Sequence, residues 1–355
     1  MPISFCFIPQ GNRPVSTLCG ALVGLLFFVC CSGTLSARSW RVNNTLTAPD
    51  QVDFIQLKAA VESASVQSGD TIYVEGSSVF YEGRIEVRKQ LFIIGPGYLL
   101  DQAQVQPTLC AQLPATIGNS VSIEFFPGSD GSTMTGMTTD GWVSFRGVND
   151  IQVSRNKIDY ILIGIDQAGN NISRDINITQ NLICSRIEVF GGLTEAYNIY
   201  VANNLIVDGV EVSLSEVGNL TIINNTFRPQ GFIDVEGATI SFNYVGRIES
   251  STVNNAITNN ILSQDNQDNE DIVAQNGTNV IDPYAGDFMN CNTDDWRLQP
   301  VDQLPTHGAY NGPLPLYANP DFPANLPAIP AIYECEVDAC GDETINVSFK
   351  VRSNQ

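Results

Sequence analysis

The chain has 355 residues, 43% of them hydrophobic and only 15% charged, with a formal net charge of −21. That charge excludes nucleic-acid binding, which needs clustered Lys and Arg to displace counterions, and it disfavours an anionic membrane surface. Sparse charge with abundant Asn, Gly, Ser and Thr suits a stacked β architecture with polar turns better than a helical protein.

Residues 1–37 carry one charge, Arg13, and an apolar run from Leu18 to Cys31, followed by small and polar residues through Leu35-Ser36-Ala37. The run is too short for a stable membrane span, so the segment reads as a signal peptide. The mature chain is then secreted or cell-surface, with no integral membrane segment after signal removal. Cys30 or Cys31 offers a second reading, a lipoprotein anchor. Export permits disulfides, and Cys335 with Cys340 is the expected pair, as residues flanking one turn. Cys184, inside a repeat, reads as a buried small apolar residue. With no Cys-x-x-Cys pair and no Cys/His cluster, a structural zinc site is not expected.

A start signal follows. Asp50 is placed to cap a short helix whose Leu57, Val61 and Ala64 share one face. Gly69-Asp70 ends it. Thr71 to Val74, Ile85-Glu86-Val87 and Leu91 to Ile94 read as strands before Gly95-Pro96-Gly97.

From residue 151 the template Ile-x-Val-x-x-Asn-x-Ile recurs, with Asn156, Asn181, Asn204, Asn225 and Asn260 at its polar position. A weaker copy has Ile240 and Phe242, with Val245 where Asn is expected. In the last copy Asn255 takes the first position. A period near twenty residues with alternating apolar positions is the signature of a β-solenoid, in which each coil buries its apolar face only by stacking on the next. Asn tolerates the left-handed backbone of a sharp turn, and amides stacked about 4.8 Å apart can hydrogen-bond along the stack. These five asparagines are therefore expected to form a structural ladder. Sequons at Asn219 and Asn224 add a glycan-acceptor reading.

After each asparagine a second strand repeats: Ile187-Glu188-Val189, Val210-Glu211-Val212, Ile233-Asp234-Val235 and Ile248-Glu249-Ser250. Alternation points the carboxylates outward, so coils in register would stack Glu188, Glu211, Asp234 and Glu249 into an acidic column. Glu86 and Glu124 would extend it, with Gly164 breaking it. These four residues are the candidates for catalytic carboxylates of glycoside cleavage, with calcium possible at Glu211 and Asp234. The competing reading is a solvated acidic face. Arg155, Lys157, Arg174 and Arg186 are candidate proton acceptors or substrate clamps.

Residues 265–271 read as a solvated acidic loop, and 283–328 as an irregular Pro- and Asp-rich covering segment containing the single histidine, His307. Residues 329–355 read as a β-hairpin that packs on the β-helix as a cap.

The helix, the string GDTIYVEG, Tyr81-Glu82-Gly83, Ile85-Glu86-Val87 and the run ending IIGPG resemble the N-terminal cap and first turns of pectate-lyase-like β-helix proteins. Asp295-Trp296-Arg297-Leu298-Gln299-Pro300 is similar to the closing segment of secreted bacterial members, and the final hairpin resembles the opening of an immunoglobulin-like module. The resemblance implies an all-β, right-handed parallel β-helix over 38–282 with an N-terminal capping helix, in a bacterial exported protein. Polygalacturonase-like relatives carry Asn-Thr-Asp, Asp-Asp, Gly-His-Gly and Arg-x-Lys, and none of the four is read here as a catalytic motif. The expected function is a non-catalytic β-helix protein of the cell exterior that interacts with polysaccharide or matrix, or serves as a surface structural component. The alternative is a polysaccharide lyase or glycoside hydrolase acting through the acidic column.

Overall fold

The computed structural model describes residues 37–46, 52–97, 113–118, 121–164, 173–190, 196–212, 217–249, 254–263, 266–275, 277–281, 330–340 and 344–353. The chain divides into two compact units, Met1–Ala37 and Arg38–Gln355. The expected signal peptide, its cysteines, Asp50, Cys110, Cys291 and the segment 283–328 with His307 lie outside the described residues.

The larger unit is an all-β parallel β-solenoid. One face is a ten-stranded parallel sheet that starts at Ser39–Val42 and Asp70–Val74, passes through Arg174–Thr179 and Ala196–Ala202, and ends at Ala256–Thr258. A second, narrow face holds two-residue strands such as Leu182–Ile183, Leu205–Ile206 and Thr226–Phe227. The third carries Ile85–Val87, Ile123–Phe125, Arg186–Phe190, Gly209–Val212, Phe232–Asp234 and Arg247–Ile248. The long strands Thr138–Arg146 and Lys157–Gly164 run through both of the latter faces and join them into one 15-stranded sheet.

The pattern follows from pleat and stacking. Val153, Ile178, Val201, Ile222 and Ile240 occupy one inward column and are fully buried. Each such side chain contributes roughly 1.5–3 kcal/mol on leaving water, and none could do so on an isolated coil.

The ladder runs longer than expected. The Oδ1 of Asn181 accepts from both the backbone N–H and Nδ2 of Asn156, at 3.0 Å each, and the same pattern repeats through Asn204, Asn225, Asn243, Asn260 and Asn279. Asn243 and Asn279 are therefore rungs that the sequence pattern misses. The coil at 238–245 pairs Ile240, not Phe242, with Ile222, so its polar position is Asn243 and Val245 is the apolar residue that follows. The left-handed residues are not the ladder asparagines. At this turn they stand one position earlier, at Arg155, Gln180, Asn203, Asn224, Phe242 and Asn259, with φ between 53° and 58°. The ladder amide reaches along the stack because its predecessor makes the turn.

Four expectations near the ends need correction. The N-terminal helix, α1, spans Leu57–Glu62 after an extended Gln56 that makes no side-chain cap. Leu57, Ala60 and Val61 line its buried face while Ala64 is exposed, because the helix ends before Ala64 can join that face. Lys89 donates from Nζ to the Ser63 and Val66 carbonyls at 2.7 Å just beyond the helix end. At the other end 265–271 is not a plain loop. A second helix, α2, spans Gln267–Gln275, buries Asn269 and Ile272, and has Asp268 and Glu270 in its first turn, where the helix dipole favours anions. Asn269 fastens it by donating from Nδ2 to the Gly246 carbonyl at 3.0 Å.

Pro330–Cys340 pairs antiparallel with Thr344–Ser353. Cys335 and Cys340 thus stand on one strand and do not flank the turn. Five residues of extended chain separate them by about 16 Å, well beyond the Cα spacing a disulfide spans. Cys184 is disulfide-bonded and half-buried at the bend between the second and third faces, so it is not a plain core residue.

Candidate functional site

The third face places two outward columns side by side. Register pairs Glu188 with Glu211 and Glu211 with Asp234, and Glu249 follows Ile248, the partner of Ile233. All four candidate carboxylates therefore stack as the repeat implies. On the preceding coils the same column reads Glu86, Glu124, Ser144 and Leu162. The interruption is thus made by Ser144 and Leu162, and not by Gly164, which pairs with Arg146 and Phe190 two positions further along. The apolar run Ile161-Leu162-Ile163 accepts either phase, so the sequence leaves this offset open.

The second column, two residues earlier on each strand, was not read from the sequence. Extending the printed register by one residue at Ser122 and Tyr160, it runs Arg84, Ser122, Trp142, Tyr160, Arg186, Gly209, Phe232 and Arg247. Trp142 is 39% exposed. Gly209 has no room for a side chain: a Cβ there would lie 2.3 Å from the Phe232 carbonyl oxygen and 3.1 Å from its ring. Arg186 lies 5.8 Å from the Tyr160 ring centroid and Arg247 5.5 Å from that of Phe232, both within cation–π range.

The columns are wired to each other. Arg186 donates to Glu211 at 2.7 Å and lies 3.4 Å from Glu188, whose Oε2 also accepts from the Tyr160 hydroxyl. Arg247 reaches Glu249 at 2.6 Å. Burial, and then the nearby Glu211 carboxylate, push the Glu188 carboxyl above its usual range. Asp234 is raised by burial and then by Glu249 and Glu211, with Arg247 offsetting part of the effect.

Glu124 differs from the rest. It points to the outer side of its strand yet is 2% exposed, so the expected solvated position is corrected. Arg84 from the coil before donates to it at 2.6 and 2.9 Å, Arg146 from the coil after at 2.9 Å, and Ser122 Oγ at 2.9 Å. Burial alone would raise its pKa, but the Arg84 and Ser122 hydrogen bonds and the two guanidinium charges hold it below the usual value.

Among the described residues no three Asp, Glu, His or Cys side chains gather as metal ligands. Glu211 and Asp234 are only adjacent rungs, and Glu211 is already paired with Arg186. That donor set falls short of the several oxygens calcium takes.

Of the basic candidates, Arg186 alone is in the column. Arg155 makes the left-handed turn and donates from Nε to Gln180 at 3.0 Å. Lys157 pairs with Leu182 at the start of the narrow face, and Arg174 is exposed on the ten-stranded sheet. The string Arg155-Asn156-Lys157 matches Arg-x-Lys in letters, but its middle residue is a ladder rung and its first a turn residue. The strings Asn292-Thr293-Asp294 and Asp294-Asp295 lie outside the described residues. Of the sequons, Asn224 is buried, while Asn219 is exposed and donates to Asn198 at 3.1 Å.

No protein-family model, curated protein or solved structure matches the chain.

Proposed function

We propose that this protein is a non-catalytic β-helix of the cell exterior that binds a polysaccharide or matrix component along its third face. The observation that carries the reading is the register of that face, where Trp142, Tyr160 and Phe232 stand in one column with Arg186 and Arg247, beside a column of carboxylates. Rings offer an apolar platform, and ion-paired guanidinium and carboxylate groups both donate and accept hydrogen bonds, a combination suited to a polyol with apolar ring faces. A disulfide at Cys184 supports export.

The non-catalytic reading is favoured because three of the four carboxylates are committed: Glu188 to Tyr160 and Arg186, Glu211 to Arg186, and Glu249 to Arg247. The lyase or hydrolase alternative draws on the raised Glu188 and Asp234 carboxyls, since a general acid needs such a shift. Incubating the protein with a panel of neutral and anionic polysaccharides, with and without calcium, separates the two. Retention of a polymer with no release of reducing ends or unsaturated oligosaccharides is expected. Release that Asp234→Ala or Glu211→Ala abolishes establishes the enzyme instead, and failure to retain any polymer removes the binding reading.

A further inference from the structure

We propose that the ligand of the third face is a neutral glycan chain, lying parallel to the solenoid axis with Trp142 and Tyr160 as its stacking platform. This rests on the binding function proposed above and narrows it to a ligand class and two residues. The first ground is spacing. Trp142 and Tyr160 are Cα partners on adjacent rungs, about 4.8 Å apart in a sheet, which is the scale of one sugar residue. A chain running along the axis then meets two rings on successive residues, whereas a chain lying across the strands meets one ring at most. Trp142 is also held out at 39% exposure in a solenoid that buries most of its large apolar side chains.

The second ground is charge. Beyond Tyr160 the face carries Glu188, Glu211, Asp234 and Glu249 against Arg186 and Arg247, so it is net negative, within a chain of net charge −21. The cations are spent internally: Arg186 on Glu211 and Glu188, Arg247 on Glu249. On the earlier coils Arg84 and Arg146 are spent on Glu124, and Arg88 on Glu86. A polyuronate or sulfated chain would meet net repulsion on a face whose guanidinium charges are each already balanced by a carboxylate.

The third ground is hydrogen-bond sense. The carboxylates are acceptors only, and they ask the ligand for donors. Sugar hydroxyls supply them at every residue. A proline-rich peptide, the other ligand that stacks on rings, supplies mainly carbonyl acceptors.

The test measures binding of the full chain to neutral polymers (β-glucan, mannan, xylan), a polyuronate, a sulfated glycan and a proline-rich peptide, by calorimetry or affinity electrophoresis. A neutral polymer should bind with little dependence on salt. Trp142→Ala should weaken it roughly tenfold or more, the loss of one stacked aromatic. Trp142→Tyr should retain most binding, and Phe92→Ala on the ten-stranded sheet should leave it unchanged. Far-UV circular dichroism checks that Trp142→Ala keeps the fold. Salt-sensitive binding to polyanions only, preference for the peptide, or a neutral polymer indifferent to Trp142→Ala each overturns the neutral-chain proposal and leaves a binding face standing. Retention of no polymer overturns both.

Discussion

Asn204 and Glu211 belong to the same coil, and each is stacked on residues of its own kind above and below. Asn204 is fully buried: its Oδ1 accepts from Asn181, and its Nδ2 donates to the Ile178 and Ala202 carbonyls and to Asn225. Glu211 is 30% exposed, is flanked by Glu188 and Asp234, and relies on Arg186 from another column. The difference lies in the functional groups. An amide carries donor and acceptor together, so identical copies complete one another; a carboxylate only accepts, so identical copies repel and must borrow donors elsewhere. Repetition in register therefore yields scaffold in one column and a half-satisfied surface, available to a ligand, in the other.

The largest effect expected from this contrast is at the ladder. Asn204→Ala strips the acceptor from two buried N–H groups of Asn181 and leaves the Ile178 carbonyl short of a donor. Stability should fall by about 3 kcal/mol or more in urea unfolding. A cost as small as that of a surface change would break the comparison at its root. Next comes Glu124, where the column has borrowed all the donors it needs. Glu124→Gln should cost about 1–3 kcal/mol at neutral pH, tempered because Arg84 and Arg146 can rehydrate. Its folded pKa is lowered, so its stabilisation is present above the unfolded value near 4.5 and is lost as pH falls through the lower folded one. The variant should flatten the acid limb of a plot of Tm against pH; an unchanged limb would show that Glu124 is not what acid unfolding titrates.

Much of the scaffold was legible because a buried apolar alternation and an obligatory asparagine leave few registers. Where legibility failed, a particular residue obscured the phase. Phe242 occupies the left-handed turn in the coil whose rung is Asn243, so an apolar turn residue passed for the second apolar position and moved the expected rung two residues on, to Val245. Asn279 was missed because α2 precedes it and only Val280–Ile281 follows as strand. The columns of the third face were half legible. The carboxylates repeat one functional group, whereas Trp142, Tyr160, Arg186, Gly209, Phe232 and Arg247 share only a position. The burial of Glu124 depends on Arg84, 40 residues earlier, and Arg146, 22 residues later, and no local window contains either contact.

The smallest expected effect gives the sharpest comparison, because its sign is opposite. Asp234 and Glu188 have raised folded pKa values, Asp234 from burial and the Glu249 and Glu211 charges, Glu188 from burial and Glu211. For a raised carboxyl, the stabilisation is present at low pH and is lost as pH rises through the folded pKa. At neutral pH both groups are ionised at a cost, and removing the charge relieves it. Asp234→Asn should thus raise stability at pH 7 by roughly a few tenths of a kcal/mol after solvent screening, with the gain shrinking in high salt. Glu188→Gln relieves the same repulsion and keeps a group able to accept from Tyr160, but it loses the charge pairing with Arg186 at 3.4 Å, so its gain should be the smaller. Chemical denaturation at pH 7 and pH 4, at low and high salt, measures both. If either variant were destabilised at neutral pH as the ladder variant is, the column would be holding the coils together and would count as scaffold, not as a face left open for a ligand.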